Sequence, residues 1–455
     1  MTGQTHAVEA LADAVLSFEI EQFPDEAVNA AKRCLIDVCG VTLAGAGTRS
    51  AKALYDTAAL TYGRGDCNIV GTPHVLNAPG AAFANGAAAH ALDFDDNCYA
   101  GIVHGSAVVF PSVLAVAQQH GATGANLLAG FLIGLEVEFA VAKALTNSIY
   151  DTGWWTTSVL GAIASAAGAS KVVGLDHEAT KHALALAVVG AGATRAVRGT
   201  SAKHYYCGRA AESGVMAVIA AKHGATGPIN AFEDRSGIAS VLNSGLFDAK
   251  AIDALGTEFG LCHPGVDIKK YPVCYASHAA ADATREIMST HGLLASDIAS
   301  VHCTVPPVVA SNLTYPAPET VAEAQFSLEF AVASIIDHDD LTLKHLDEAV
   351  VMSAPIRQRL ETIHVEVGDV PEQFRSSNSI CPEWAHVEVV THDGDHHSAF
   401  AGSPVGSALR PLSDELLQKK FMACAEHHSA SAEPFALYER LKNIEHLGNT
   451  QELFS

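Results

Sequence analysis

Charge is scarce in this chain, and positive charge is scarcer still: 17% of its 455 residues are charged, with 27 Lys and Arg against 50 Asp and Glu, a formal net charge of -23. So acidic a protein excludes nucleic acid and anionic membrane as natural partners, because both recruit dense basic surfaces. The ten cysteines contain no C-x-x-C pair and no dense framework, which excludes a thioredoxin-like motif and a disulfide scaffold; reduced thiols in a cytoplasmic protein are expected. No basic leader with an apolar core opens the chain, and no uninterrupted apolar run reaches the roughly 18 residues of a membrane span. No Gly-rich phosphate loop follows a strand and no ligand set closes at metal spacing, so neither a cofactor nor a metal is expected.

What the chain does have is apolar mass. Hydrophobic residues make up 49% of it, too much for one compact core at this length, so two or three lobes and a symmetric partner are the expectation. From about residue 7 to 263 apolar residues recur at three and four spacing, punctuated by Gly, Pro, Asn and Asp, which reads as helices packed through Ala and Gly. The texture changes after His263-Pro264-Gly265. β-branched alternation in 299–305, 362–367 and 386–391, with Asp393-Gly394 as a hairpin-type turn, reads as strands among helices. The fold class is therefore mainly α: an all-helical domain from residues 1–267 and 403–455, and a smaller lid-like α+β domain over 268–402, with a cleft expected between them.

Three segments concentrate chemistry. His90-Ala-Leu-Asp93-Phe-Asp95-Asp96-Asn97 with His104 puts three carboxylates and two imidazoles into fifteen positions of a region otherwise built from small apolar residues. Buried titratable groups cost several kcal/mol unless paired or used. Read as a helical segment, it places Asp93 and Asp96 on one face and Asp95 on another, and helix capping or a satisfied core histidine is the competing account. The second segment, Lys203-His-Tyr-Tyr206-Cys-Gly208-Arg209, sets two cations and two phenols ahead of a helix expected to begin near Gly208, where free backbone N–H groups suit a carboxylate. The third, Asp267-Ile-Lys269-Lys270-Tyr271-Pro-Val-Cys274, falls at the expected junction between domains, a favoured place for pockets.

In this order and spacing the segments, with Ser158-Val-Leu-Gly161, Phe326-Ser327-Leu328 and the late Pro411-Leu-Ser413, resemble the MmgE/PrpD family along essentially the whole chain. The resemblance implies a large helical domain with a smaller α+β domain, usually a homodimer, acting on a small polycarboxylate without a redox cofactor. It implies catalytic roles for Asp93, His104, Lys203 and Tyr206, and substrate binding by Asn97, Trp155, Arg209, Lys269 and Cys274. Positions that are commonly imidazole in the family are Trp155 and Tyr206 here, the position that is histidine or cysteine is Cys274, and Phe330 replaces a frequent tyrosine. Dehydration and decarboxylation both favour a proton-donating imidazole, so the pattern resembles most the branch that epimerises iminodisuccinate. In that reading Lys203 with Tyr206 works one face of a planar intermediate and His104, oriented by Asp93, the other. The alternatives are a hydro-lyase or decarboxylase of a tricarboxylate, of the 2-methylcitrate or cis-aconitate type, and a non-catalytic carboxylate-binding member.

Overall fold

The computed structural model describes residues 6–145, 148–374, 380–427 and 433–454. It is 59% helical with one small mixed four-stranded sheet in the C-terminal part, and it divides into two units, residues 1–91, 95–266 and 414–455, and residues 92–94 and 267–413.

Helices of the first unit start where the sequence supplies caps. Thr48, Asn77, Thr123 and Asp176 each accept a main-chain N–H with their side chains at the starts of Arg49–Thr61, Ala78–His90, Gly124–Ala144 and His177–Val189. Pro24 precedes Asp25–Ala46, whose first turn carries Asp25 and Glu26. Small residues then let axes approach closely: a Cβ on Gly208 would lie 2.4 Å from the carbonyl oxygen of Phe83, and one on Gly168 2.6 Å from that of Gly130. Gly124–Ala144 is long and apolar enough to pass for a membrane span, although 83% of its most apolar window is buried. Glu136 and Glu138 break its apolar run, and both are buried here.

In the second unit the strand order is Ile363–Val367, Ile298–Val305, Ala385–Thr391, His396–Ala401. The first pair is parallel and the others antiparallel, the last two joined through Asp393-Gly394, with Gly394 at φ 85°. Val301, Cys303, Val305, Val387 and Val389 point into a core shared with the helices His278–His291 and Leu328–His338. The alternation read from the sequence is the inward and outward alternation of these strands.

Two local expectations are overturned. The helix expected from Gly208 begins at Ala202 and runs to Lys222, so Gly208 serves close packing inside it and its N–H is not an open anion site. The segment after His90 is not helical: Ala78–His90 ends there, and Asp93 sits at φ 49° in a connection to Gly105–His120. A two-stranded hairpin, Cys67–Asn68 with Val75–Leu76, lies among the helices and carried no alternation long enough to read.

Candidate active site

In the first unit the chemistry gathers around His90. This residue ends a helix whose every position is buried, and Lys203 comes from the first turn of Ala202–Lys222, which packs on that helix at Gly86 and Gly208. His90 Nε2 is 2.6 Å from Lys203 Nζ, and His90 Nδ1 is 2.6 Å from Asp95 Oδ2. His104 lies just before Gly105–His120 with its ring centroid 4.7 Å from that of His90. Its Nδ1 is 2.6 Å from the carbonyl oxygen of Asp96 and 3.7 Å from Asp95 Oδ2. A carbonyl only accepts, so the proton of a neutral His104 sits on Nδ1 and Nε2 carries the basic lone pair. The sequence reading gave the orientation of His104 to Asp93; the contacts that orient it in its own unit come from Asp95 and the main chain of Asp96.

Trp155, buried at the start of Thr156–Val173, covers this cluster: its ring is 5.4 Å from that of His90 and 5.9 Å from Lys203 Nζ. Such a wall keeps water from the lysine and imidazole and strengthens their electrostatics. Asn97 is buried, and its amide nitrogen has no hydrogen-bond partner among the described residues, a donor suited to a bound ligand. His204, next to Lys203, was given no role from the sequence. Burial, then the positive potential of His90 and Lys203, drives its imidazole down to about 3, so it stays neutral.

Two of the expected site residues lie apart from this cluster. Tyr206, one turn along from Lys203, is 39% exposed and stacks edge-on against Tyr205. Arg209 is paired with Glu212 and has Tyr62 Oη at 3.5 Å, so its charge is already matched.

Behind the cluster lies an acidic layer. Asp96 accepts the hydroxyl proton of Ser106, and the Ser106 N–H at 3.4 Å, yet burial pushes its carboxyl up to about 7. Glu138 is fully buried, with neither oxygen hydrogen-bonded among the described residues; burial, then the nearby Asp96, holds it well above the usual carboxylate range. The sequence showed these acids but not which of them would have a cation to face.

The second unit places Lys269 and Asp93 together. Lys269, with no exposed surface, donates to the carbonyl oxygen of Asp93 at 2.7 Å and lies 3.3 Å from its carboxylate. Cys274 is half-buried; burial first, then Asp93 and Glu383, push its thiol up to about 12, so it is a neutral group and not a thiolate. The adjacent Lys270 turns instead to Asp282 at 2.9 Å.

Among the described residues, His90, Asp95 and His104 bring three donor atoms within 4.8 Å of one another, the one grouping with metal-ligand character. Their chemistry fits a cation poorly. His90 Nδ1 and Asp95 Oδ2 are at proton-sharing distance, His104 Nδ1 is turned to a carbonyl, and the lysine on the other side of His90 would repel a dication. A separate surface hollow of about 480 Å³, lined by Lys52, Tyr55, Asp56, Thr72 and His74 among others, contains none of these groups.

Residues 9–249 match the MmgE/PrpD N-terminal domain and residues 271–442 the MmgE/PrpD C-terminal domain. The chain belongs to the MmgE/PrpD family. Within it, the chain is 26% identical to human cis-aconitate decarboxylase over 451 residues, 96% of this chain and 92% of that protein. It is 27% identical to the mouse cis-aconitate decarboxylase over 436 residues, 92% and 86% of the two chains. A cis-aconitate decarboxylase-like protein, oryM, of Aspergillus oryzae is 26% identical over 248 residues, covering 52% of this chain and 50% of that one. This MmgE/PrpD chain therefore has end-to-end relatives of lyase type.

Proposed function

We propose that this protein is a lyase that decarboxylates a small unsaturated tricarboxylate of the cis-aconitate kind, protonating the carbanion left when carbon dioxide departs. One observation carries the reading: a buried lysine, Lys203, sits 2.6 Å from an imidazole in a water-poor cluster, and the relatives matching the chain from end to end are decarboxylases. Losing carbon dioxide leaves an electron pair on a carbon conjugated to the remaining carboxylates. A preorganised ammonium stabilises that charge and can donate a proton to the carbon. Lys203 supplies both; His104, with its basic Nε2, is the second proton-handling group, and Asn97 contributes an amide donor. The substrate-binding roles of Lys269 and Cys274 belong to the same proposal, as does the homodimer.

A second reading, epimerisation of iminodisuccinate, is favoured by the residues at two positions: Trp155 and Tyr206 stand where imidazoles would serve a lyase. It uses the same lysine to remove and return a proton beside a carboxylate. Incubation with cis-aconitate and with iminodisuccinate isomers in deuterated water, followed by proton NMR, separates the two. Loss of a carboxylate with one deuteron entering the product is the expected result. Deuterium entering iminodisuccinate with inversion and no carbon lost would replace the lyase by the epimerase, and no exchange in any polycarboxylate would reduce the protein to a binding member of its family.

A further inference from the structure

We infer that His90 and Asp95 are positioning residues that hold and return the proton of Lys203, allowing this lysine to act as a base as well as an acid near neutral pH. The inference rests on the removal and return of a proton that the second reading asks of Lys203, and deepens it. The sequence reading gave roles to Asp93 and His104 and none to this pair.

The argument starts from donors and acceptors. An ammonium has donors only, so Lys203 Nζ donates to His90 Nε2 across 2.6 Å. The ring proton then sits on Nδ1, 2.6 Å from Asp95 Oδ2, and a carboxylate accepts it. Every atom in the line has one role, and the side chains of His90 and Asp95 have no exposed surface. Moving one proton from Nζ to Nε2 leaves a lone pair on the lysine and an imidazolium against the carboxylate. The three groups are neutral in sum before and after, so no charge is added to the buried site. The amine then takes a proton from the substrate carbon while the C–H electron pair passes into the enolate of the adjoining carboxylate. Returning a proton from the ammonium to carbon restores the amine, and the imidazolium gives its proton back.

The neighbours that titrate must be set against this line. Burial holds the Cys207 thiol and the Glu138 carboxyl far up and His204 down, so all three stay neutral near pH 7. His104 faces His90 and Asp95, and Asp96 titrates near 7 on its own account. The informative comparison is therefore between variants that keep Asp96 and His104.

His90→Gln retains an acceptor for Nζ but cannot carry a proton; Asp95→Asn retains an acceptor for the ring but cannot stabilise an imidazolium. Solvent deuterium exchange into substrate is measured from pH 6 to 10, with circular dichroism to confirm folding. At pH 7 His90→Gln is expected to slow exchange about 100-fold with little change in KM. Its rate should climb about tenfold per pH unit toward the free-lysine range near 10.4, far more steeply than the wild type, with Asp95→Asn between them. A His90→Gln profile parallel to that of the wild type, or a loss that alkaline pH does not recover, would overturn the relay. Nitrogen-15 NMR of histidine-labelled, substrate-free protein is the independent arm: the Nδ1–H tautomer of His90 supports the relay and the Nε2–H tautomer refutes it. Failure of the wild type to exchange any polycarboxylate proton would sink the epimerase reading alone, leaving the tautomer to decide the relay.

Discussion

Two buried lysines, Lys269 in the second unit and Lys203 in the first, are each set against an aspartate, and the two arrangements are built differently. In the second unit Lys269 lies directly on Asp93, 3.3 Å from its carboxylate and bonded to its carbonyl oxygen. In the first, the imidazole of His90 stands between Lys203 and Asp95. A direct pair locks its proton: the ammonium is the form that the carboxylate stabilises, and breaking it leaves a charge in a dry interior. An inserted imidazole makes the proton mobile, because it can accept at one nitrogen while donating at the other. The same two residue types thus give a fixed charge in one arrangement and a reactive group in the other.

Substituting each lysine by methionine tests that contrast, and the largest effect is expected in the first unit. Lys203→Met removes the proton donor and the carbanion-stabilising charge, and the imidazole of His90 takes a proton to balance Asp95, so turnover should fall about 1,000-fold, on the order of 4 kcal/mol in the transition state, with a near-normal melting curve. A variant that keeps its turnover and shows only a raised KM would make Lys203 a docking residue and erase the distinction. Lys269→Met should show its main effect in stability: removing the cation that faces Asp93 should cost about 3 kcal/mol, measured by urea unfolding. A midpoint equal to that of the wild type would show that Asp93 does not depend on this lysine.

Much of the architecture was legible because it rests on repetition. Three and four spacing marked Asp25–Ala46 and Gly124–Ala144, and two-residue alternation marked three of the four strands of the sheet. The site was legible only as a neighbourhood. His90 and Asp95 stand five apart across a helix end, and their contact depends on where Ala78–His90 stops and how Asp93, at φ 49°, turns the chain. Read as helical, the segment put Asp93 and Asp96 on one face and pointed Asp95 away, while the orienting role of Asp93 rested on the family resemblance. Gly208 misled in a related way: a glycine ahead of a long Ala-rich segment looks like a helix start, whereas its reason here is close packing, since a Cβ would lie 2.4 Å from the carbonyl oxygen of Phe83. Partners 113 residues apart, such as His90 and Lys203, leave no local pattern at all.

The smallest expected effect concerns the acids of the first unit that lack a cation. Asp95 has His90 against it; Glu138, buried with neither oxygen hydrogen-bonded among the described residues, has no such partner and is held protonated by burial. A carboxyl raised in the folded state adds stability that is complete below its unfolded value near 4.3 and is lost as pH rises through the folded value. Glu138, together with Asp96 at about 7, should therefore make the wild type less stable as pH rises from 5 toward 9. Glu138→Gln removes one of these terms without changing shape. Compared by urea unfolding at pH 5 and pH 9, the variant should match the wild type at the lower pH within ~1 kcal/mol and exceed it by ~1–3 kcal/mol at the higher. Equal slopes in the two proteins would mean that Glu138 ionises without penalty, and the contrast between carboxylates with and without a partner would then have to be drawn from Asp96 alone.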